Sequence, residues 1–380
     1  MSQTKVEAPF VENNATFRNM ITNGDMQISQ RATSFASMGN GDTQFTLDRF
    51  GWYEEGDHGA AEITITQDTD VPTGQGFAKS LKAVCATVDT SIDAGTIAYV
   101  SQKFEGQFLQ HLAKGTSGAK STTLSFWCKS NLTGTFTISV IDQDNTRMFS
   151  TSYSPASANT WEKFIINIPA DTTGALDNDN ASSFRINWNL QAGTNKSNGA
   201  LASAWEAQAE GDRAVGQTNF YSSTSNNWYI TGVQWEVGDA ATDFEHLPFD
   251  VQLQRCQRYF EVIADARSVG TGTLSSGDSD ENIGAGAVFY TTRYGYVPIR
   301  FATKKRSNAP SLFITNDTNH FRIYNNGTYD DVSTMTNTGT SSHHALTLSL
   351  DNGATGWNAG DCGFIRMNNA AAYVMIKDEL

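Results

Sequence analysis

Residues 228–237 read WYITGVQWEV. Val233, Trp235 and Val237 stand at every second position, with Gln234 and Glu236 between them. Period two is the mark of a strand with one face in a core and one outside it. The same alternation recurs upstream: in Ile63–Thr66, in Leu124, Phe126 and Cys128, in Phe136–Val140, in Trp161–Ile168, and in Phe184, Ile186, Trp188 and Leu190. Asn131–Gly134 is a turn signal between the segments at 123–128 and 136–140, and it predicts that these two pair as a hairpin. Residues 191–227 form a long polar excursion, which we expect Trp205 or Phe220 to pin to the body.

After Pro248 the period changes. Asp250 reads as an N-cap, and Leu253, Cys256 and Phe260 follow at helical spacing, with Arg255 and Arg258 off the apolar line. Strand patterns then return at Ala287–Tyr290, Val297–Thr303, Ser311–Thr315, Phe321–Tyr324, Ala345–Leu350 and Ala372–Ile376. Lys304-Lys305-Arg306 reads as a solvated hairpin end, with Ser307–Pro310 as the turn after it. The residues thus predict two β-domains joined by a short helix. No period of about 20–50 residues recurs, so neither a solenoid nor a propeller is indicated.

Composition narrows the function. The 380-residue chain carries a formal charge of −14, which argues against binding to nucleic acid or to an anionic membrane. No run approaches the ~20 apolar residues of a membrane span. The first twenty residues, MSQTKVEAPFVENNATFRNM, lack the basic and apolar regions of a signal peptide. The C-terminal Lys377-Asp378-Glu379-Leu380, which spells an endoplasmic-reticulum address, is therefore expected to be the coincidental end of a strand whose inner face holds Ala372, Val374 and Ile376. Cys85, Cys128, Cys256 and Cys362 are widely spaced and read as small buried hydrophobes.

Catalytic patterns are missing. The sequence has no phosphate-binding loop, dinucleotide fingerprint, H-E-x-x-H or G-x-S-x-G. His343 and His344 would point to opposite faces of a strand, which disfavours a shared metal. Asp142-Gln143-Asp144 and Asp177-Asn178-Asp179-Asn180 lack the glycine and glutamate that an EF-hand loop needs, so both read as turns. Glu54 and Glu55 would also diverge, a poor arrangement for a glycosidase pair. No catalytic residue is assigned, and the expectation is a protein that is not an enzyme.

Several stretches together resemble bacteriophage tail-fibre and virion structural proteins. They are Tyr229–Gly238 with Ala241–His246 and Pro248-Phe249, then Leu253–Phe260. To these are added Asn19–Met26 with Gln30-Arg31 and Leu47–Phe50, Leu124–Ser130 with Thr133–Thr135, and, more loosely, Val297–Arg306 with Ala309-Pro310. Trp235 replaces the usual Leu, and Leu247 stands before Pro248 where Arg is usual. The resemblance implies an all-β chain: an N-terminal arm (1–18), a carbohydrate-binding-module-like jelly-roll β-sandwich (19–247), a helical connector (248–260) and a smaller C-terminal β-sandwich tip (261–380). It further implies a virion protein made in the host cytoplasm, assembled as a homotrimer and joined to other virion proteins through the arm. Such a protein contacts a host surface glycan or protein, binds no nucleic acid and inserts into no membrane. Similar proteins also end in D-x-E-L-like residues.

Relatives of this jelly-roll type hold a structural calcium near the first and last strands, which makes Asp25 and Glu236 candidates; no other cofactor is implied. Trp52, Tyr53 and Trp205 are aromatics that could touch a sugar, though each also reads as core, and no glycan or receptor site is assigned. A capsid-decorating or head-fibre protein is the alternative function. A glycan depolymerase working through an acid pair is a further one.

Overall fold

The structure, a computed structural model, describes residues 17–39, 41, 43–265, 282–315, 320–353, 356–369 and 371–380. Most of the expected N-terminal arm, residues 1–16, lies outside the described residues. The fold is all-β, with a single α-helix among the described residues. The chain divides into two compact units: the first runs to Gln27, then Thr33–Thr46 and Phe50–Leu247, and the second comprises Ile28–Ala32, Leu47–Arg49 and Pro248–Leu380.

The first unit is a sandwich of two antiparallel sheets. One has the order β1 (Ser34–Gly39), β4 (Glu62–Asp68), β5 (Ser80–Thr87), β13 (Asn227–Val237), β7 (Thr122–Ser130), β10 (Glu162–Ile168). The other runs β12 (Glu206–Ala207), β9 (Arg147–Tyr153), β8 (Phe136–Asp142), β11 (Ser182–Ala192), β6 (Ile97–Glu105), β3 (Gly51–Glu55), β2 (Thr43–Phe45). Late strands insert between early ones, β13 between β5 and β7 and β11 between β6 and β8, which is jelly-roll connectivity. One expectation is corrected here. β7 and β8 do not pair as a hairpin, because they lie in different sheets, and Asn131–Gly134 carries the chain across the sandwich.

The alternating residues point inward as read. Leu124, Phe126, Phe184, Ile186, Trp188, Leu190, Val233 and Trp235 are all buried. Ring contacts tie the sheets together, Phe184 stacking on Trp235 at 5.9 Å and Phe126 meeting Trp188 edge-on at 6.2 Å. In β13 the parity changes midway, since Trp228 and Ile230 are buried as well as Val233 and Trp235. The register against β7 shifts between Thr231 and Gln234, at Gly232, whose φ of +61° suits a bulge residue without a Cβ.

The excursion after β11 lies flat on the second sheet. Phe220 is fully buried, and Trp205 packs between Phe149 (6.4 Å) and Phe184 (5.5 Å). A buried guanidinium locks the loop: Arg213 donates to both carboxylate oxygens of Glu55 (2.9 and 3.1 Å) and to Glu210 (2.9 Å), and Lys196 joins both acids. Burial pushes these carboxyls up, but Arg213 at Glu55 and Lys196 at Glu210 outweigh it and hold both down to about 2. A depressed carboxyl stabilises the fold above its unfolded value of 4.5, and that contribution fades as pH falls toward about 2. Pepsin is therefore expected to leave 193–219 intact near pH 4.5 and to cut it first as pH approaches 2. Equal cleavage at both ends of that range would contradict this lock.

The second unit is a smaller sandwich. The helix α1 (Phe249–Gln257) opens its main segment, with Pro248 rather than Asp250 at the N-cap. Asp250 sits in the first turn instead, where a carboxylate still favours the helix dipole. Phe260 lies beyond the helix and begins β14 (Phe260–Asp265). A three-stranded sheet has the order β14, β23 (Tyr373–Lys377), β17 (Ser311–Ile314). A seven-stranded sheet runs β19 (Thr328–Val332), β18 (Phe321–Asn325), β22 (Cys362–Met367), β15 (Asn282–Phe289), β16 (Tyr294–Arg300), β21 (Ala345–Asp351), β20 (Thr334–Ser341). Val374 and Ile376 of β23 share a buried core with Ile323, Phe289, Val297 and Leu348.

The basic run at 304–306 departs from expectation. Lys304 is exposed, but Lys305 is fully buried, its ammonium donating to Glu261 and to the Gln257 carbonyl, while Arg306 donates to Asp378. The C-terminal letters are likewise structural. Asp378 accepts from the Ser307 N–H and hydroxyl (2.7 Å for the latter). Glu379 accepts from Arg31 (2.8 Å) and Arg49 (2.5 Å). Arg31 also pairs with Asp48 at 3.1 Å and lies over the Phe260 ring, and Arg49 lies over Tyr259. These contacts place Ile28–Ala32 and Leu47–Arg49 in the second unit, an interleaving that the expected boundaries at 19–247, 248–260 and 261–380 do not include.

Candidate functional site

The outer face of the six-stranded sheet carries a row of rings and charges. Tyr229 of β13 is registered opposite Lys82 of β5 and Lys129 of β7, and Trp161 immediately precedes β10 at the level of Lys129. Because strands of one sheet lie about 4.8 Å apart, these side chains form a line across it. Trp161 and Tyr229 meet edge-on at 6.0 Å. The Lys129 ammonium sits 4.2 Å from the Tyr229 ring centre and 5.4 Å from that of Trp161, with Lys82 5.2 Å from Tyr229 on the other side.

Carboxylates hold these cations in place. Asp70 accepts from Lys129 and from the Trp161 indole N–H (2.9 Å), and Asp68 pairs with Lys82 at 3.1 Å. Asp70 remains 46% exposed at the side chain, so its lone pairs are reachable by a ligand. Burial would raise the carboxyls of Asp70 and Asp68. Their hydrogen bonds outweigh it, from Lys129 and Trp161 at Asp70 and from the Asp70 backbone N–H and Lys82 at Asp68, and both stay below the usual carboxylate range. The row thus offers the half-exposed carboxylate of Asp70 and the partly exposed indole of Trp161 above the buried Tyr229 ring, with Lys82 and Lys129 beside them, an arrangement suited to a hydroxyl-rich ligand.

The residues singled out from sequence lie elsewhere. Trp52 is fully buried in the core, Tyr53 is buried on the opposite sheet against Tyr99 (5.5 Å, stacked), and Trp205 anchors the long loop, its N–H bonded to the Pro169 carbonyl. Glu54 and Glu55 do diverge, toward Tyr221 and Arg213 respectively. His343 and His344 fall in a bend rather than a strand, and a ring nitrogen of His343 lies 3.1 Å from the Lys305 carbonyl. Asp142 is filled by the Lys114 ammonium (2.5 Å) and by Asn145, and the Asp177 N–H donates to Asp144, so both acidic stretches serve as turns.

The two calcium candidates have protein partners. Glu236 accepts from the Thr242 N–H (2.9 Å), the Thr242 hydroxyl (2.7 Å) and the Gln234 amide (2.8 Å), with Arg18 at 3.6 Å. Asp25 accepts from the Gln27 amide at 2.9 Å, and burial pushes its carboxyl up. Calcium takes six to eight oxygens. Among the described residues no three acidic, His or Cys side chains gather as metal ligands would, and the carboxylates of Asp25 and Glu236 are engaged by donors of the protein itself. Glu236 instead latches the segment after β13 to the strand.

Trp161, Tyr229, Lys82, Lys129, Asp68 and Asp70 were not singled out from sequence. Their one local signal is parity: Tyr229 stands out of phase with Trp228 and Ile230, which turns its ring to the outer face of the sheet, where Trp161 and Lys129 cover it to 8% exposure.

No protein-family model and no curated protein matches the chain. Solved structures do match, in architecture. The enzymatically active domain of Bacteriophage CBA120 tailspike protein 4 overlaps 58% of this chain at 15% identity and a TM-score of 0.30, and this chain spans 22% of that one. A CBM4 structure overlaps 57% of this chain and 99% of its own at 11% identity and a TM-score of 0.28. The family 11 carbohydrate-binding module of the Clostridium thermocellum cellulase Lic26A-Cel5E covers 56% and 98%, at 12% and 0.26. The class defined by the strand order is a jelly-roll β-sandwich, similar in outline to these modules; at such scores the likeness assigns no ligand.

Proposed function

We propose that this chain is a non-enzymatic structural protein of a virion surface, a tail fibre that contacts host glycan through the outer face of its jelly-roll unit. The observation that carries the reading is the line of Trp161, Tyr229, Lys129, Lys82 and Asp70 across one sheet. A pyranose ring presents a flat C–H face that packs on an aromatic ring, while its hydroxyls need donors and acceptors at the margin. The row supplies both. The virion role rests on the motif resemblance, and with it goes assembly as a homotrimer, tied to other virion proteins through residues 1–18.

Trp161→Ala removes the outermost ring of this row without opening the core. Binding to a polysaccharide that the parent protein retains is expected to weaken by about tenfold or more, the value of one aromatic contact near 1.4 kcal/mol. Isothermal titration against purified bacterial surface polysaccharides measures it, with the melting temperature as a folding control. Unchanged affinity in the variant would place the glycan elsewhere. Light scattering tests the oligomer: a single monomeric species at micromolar concentration contradicts it.

A further inference from the structure

The second unit exposes a face of its seven-stranded sheet that no described residue covers. Along β15 and its neighbours, Ile283, Ala287 and Phe289 point into the core, and alternate positions therefore point out. Those outward positions hold Val288 (53% exposed), Tyr296 (40%), Phe364 (60%), Tyr324 (39%) and Tyr329 (53%), and Tyr290 (45%) lies just past β15. The strand register makes them one band. Tyr329 pairs with Tyr324, Tyr324 with Phe364, Phe364 with Gly286 two residues along β15 from Val288, and Val288 with Tyr296. Tyr290 stacks on Tyr296 at 4.4 Å, and Tyr324 meets Tyr329 at 5.0 Å.

We propose that this band is the surface through which copies of the chain associate. The inference rests on the homo-oligomer reading and adds the surface that it uses. Area decides the occupant. Five rings and a valine at about half exposure leave roughly 400–650 Å² of side-chain surface in one band, taking ~150–250 Å² per aromatic. That is the upper part of the range for the largest apolar patch on a monomer, and it approaches the ~800 Å² per partner of a standard interface. The margins make up the difference and have the polar character of a rim: Arg322 pairs with Asp331 at 2.8 Å, Arg293 with Asp351 at 2.6 Å, and Arg366 reaches the Tyr329 hydroxyl at 3.2 Å. Charges of both signs at the margin, most of them already paired, suit a second copy of the chain, which can exchange ion pairs with them. A Tyr-rich centre with Arg at the edge is also the composition of association hot spots.

The chain carries its own probe. Cys85, Cys128 and Cys256 are buried, whereas Cys362 is exposed on the same face, registered opposite Val288. The experiment uses the full-length protein and two variants, Phe364→Glu on the band and Ile165→Glu as an exposed control in the first unit. Multi-angle light scattering across a dilution series is expected to show Phe364→Glu dissociating at about 30-fold or more higher concentration than the parent, with Ile165→Glu unchanged. Maleimide labelling of Cys362 is expected to be slow in the assembled parent and fast in the dissociated Phe364→Glu protein, and circular dichroism verifies that the variant is folded. A parent that is monomeric throughout overturns the oligomer reading and this inference with it. An oligomeric parent whose folded Phe364→Glu variant assembles equally well, or whose Cys362 labels as fast as a free surface thiol, leaves the oligomer standing and overturns this surface.

Discussion

Removing Ala372–Leu380 is expected to unfold the C-terminal unit. The segment is not a tail. β23 is the middle strand of the three-stranded sheet, with β14 and β17 as its only neighbours there, so its loss strips the ladder from both. It also removes Ala372, Val374 and Ile376 from the core, each fully buried, at about 1.5–3 kcal/mol for each larger side chain. Finally it leaves Arg31 and Arg49 beside a missing carboxylate. Against a total stability of ~5–15 kcal/mol, these losses are decisive. A finer variant isolates the last term. Glu379→Gln keeps the strand and the shape but removes the carboxylate charge facing Arg49 and one of the two at Arg31, which keeps Asp48, and a loss of about 3 kcal/mol is expected. Denaturant unfolding of both variants measures this. A truncated chain with a full-strength second transition would mean that the terminal letters are dispensable, as an appended address is.

The second large effect is expected in the first unit, at Gly24→Ala. Residues 19–26 and the last jelly-roll strand are bound to each other closely: the Asn19 side chain accepts from the N–H groups of Ile21 and Trp235 and donates to the Val233 carbonyl, and the Val233 N–H donates to the Gly24 carbonyl at 2.9 Å. A Cβ on Gly24 would sit 2.1 Å from the Val233 carbonyl oxygen. That neighbour is backbone in a central strand and cannot swing aside. The variant is expected to lose about 3 kcal/mol or more, at the upper end of overpacking effects. Gly95→Ala is the control, because a Cβ there meets nothing within 4 Å; it should stay within about 0.5 kcal/mol of the parent. Equal melting temperatures for the two variants would contradict the docking of the first segment against β13.

These two sites explain why some of the fold was legible in the sequence. Strong alternation, as in Phe184-Ile186-Trp188-Leu190, reports which face is buried, since burial of one face is what selects the pattern. The stretches that carry the tail-fibre resemblance prove to be mutual partners. Asn19–Met26 docks on Trp228–Val237, while Gln30-Arg31, Asp48-Arg49 and Glu379 meet in one charge network. What local pattern could not supply is pairing. A turn signal such as Asn131–Gly134 states that the chain turns, not whether it turns within a sheet or between two. Nor does a run of basic residues reveal that Lys305 faces a buried Glu261, 44 positions earlier.

The candidate site was illegible for the same reason. Its groups come from five separate segments, Asp68 and Asp70, Lys82, Lys129, Trp161 and Tyr229, and each alone reads as an ordinary surface residue. Only the strand order brings β5, β13, β7 and the start of β10 side by side.

The most direct test of the proposed function pairs two readouts on one set of samples. The full-length protein and Trp161→Ala are incubated with a panel of purified bacterial lipopolysaccharides and capsular polysaccharides, and both retention and newly formed reducing ends are measured. Retention of at least one polysaccharide by the parent, a loss of about tenfold or more in the variant, and no new reducing ends are the predicted result. Release of shortened chains, or a panel that neither protein retains, would contradict a glycan-contacting role without cleavage.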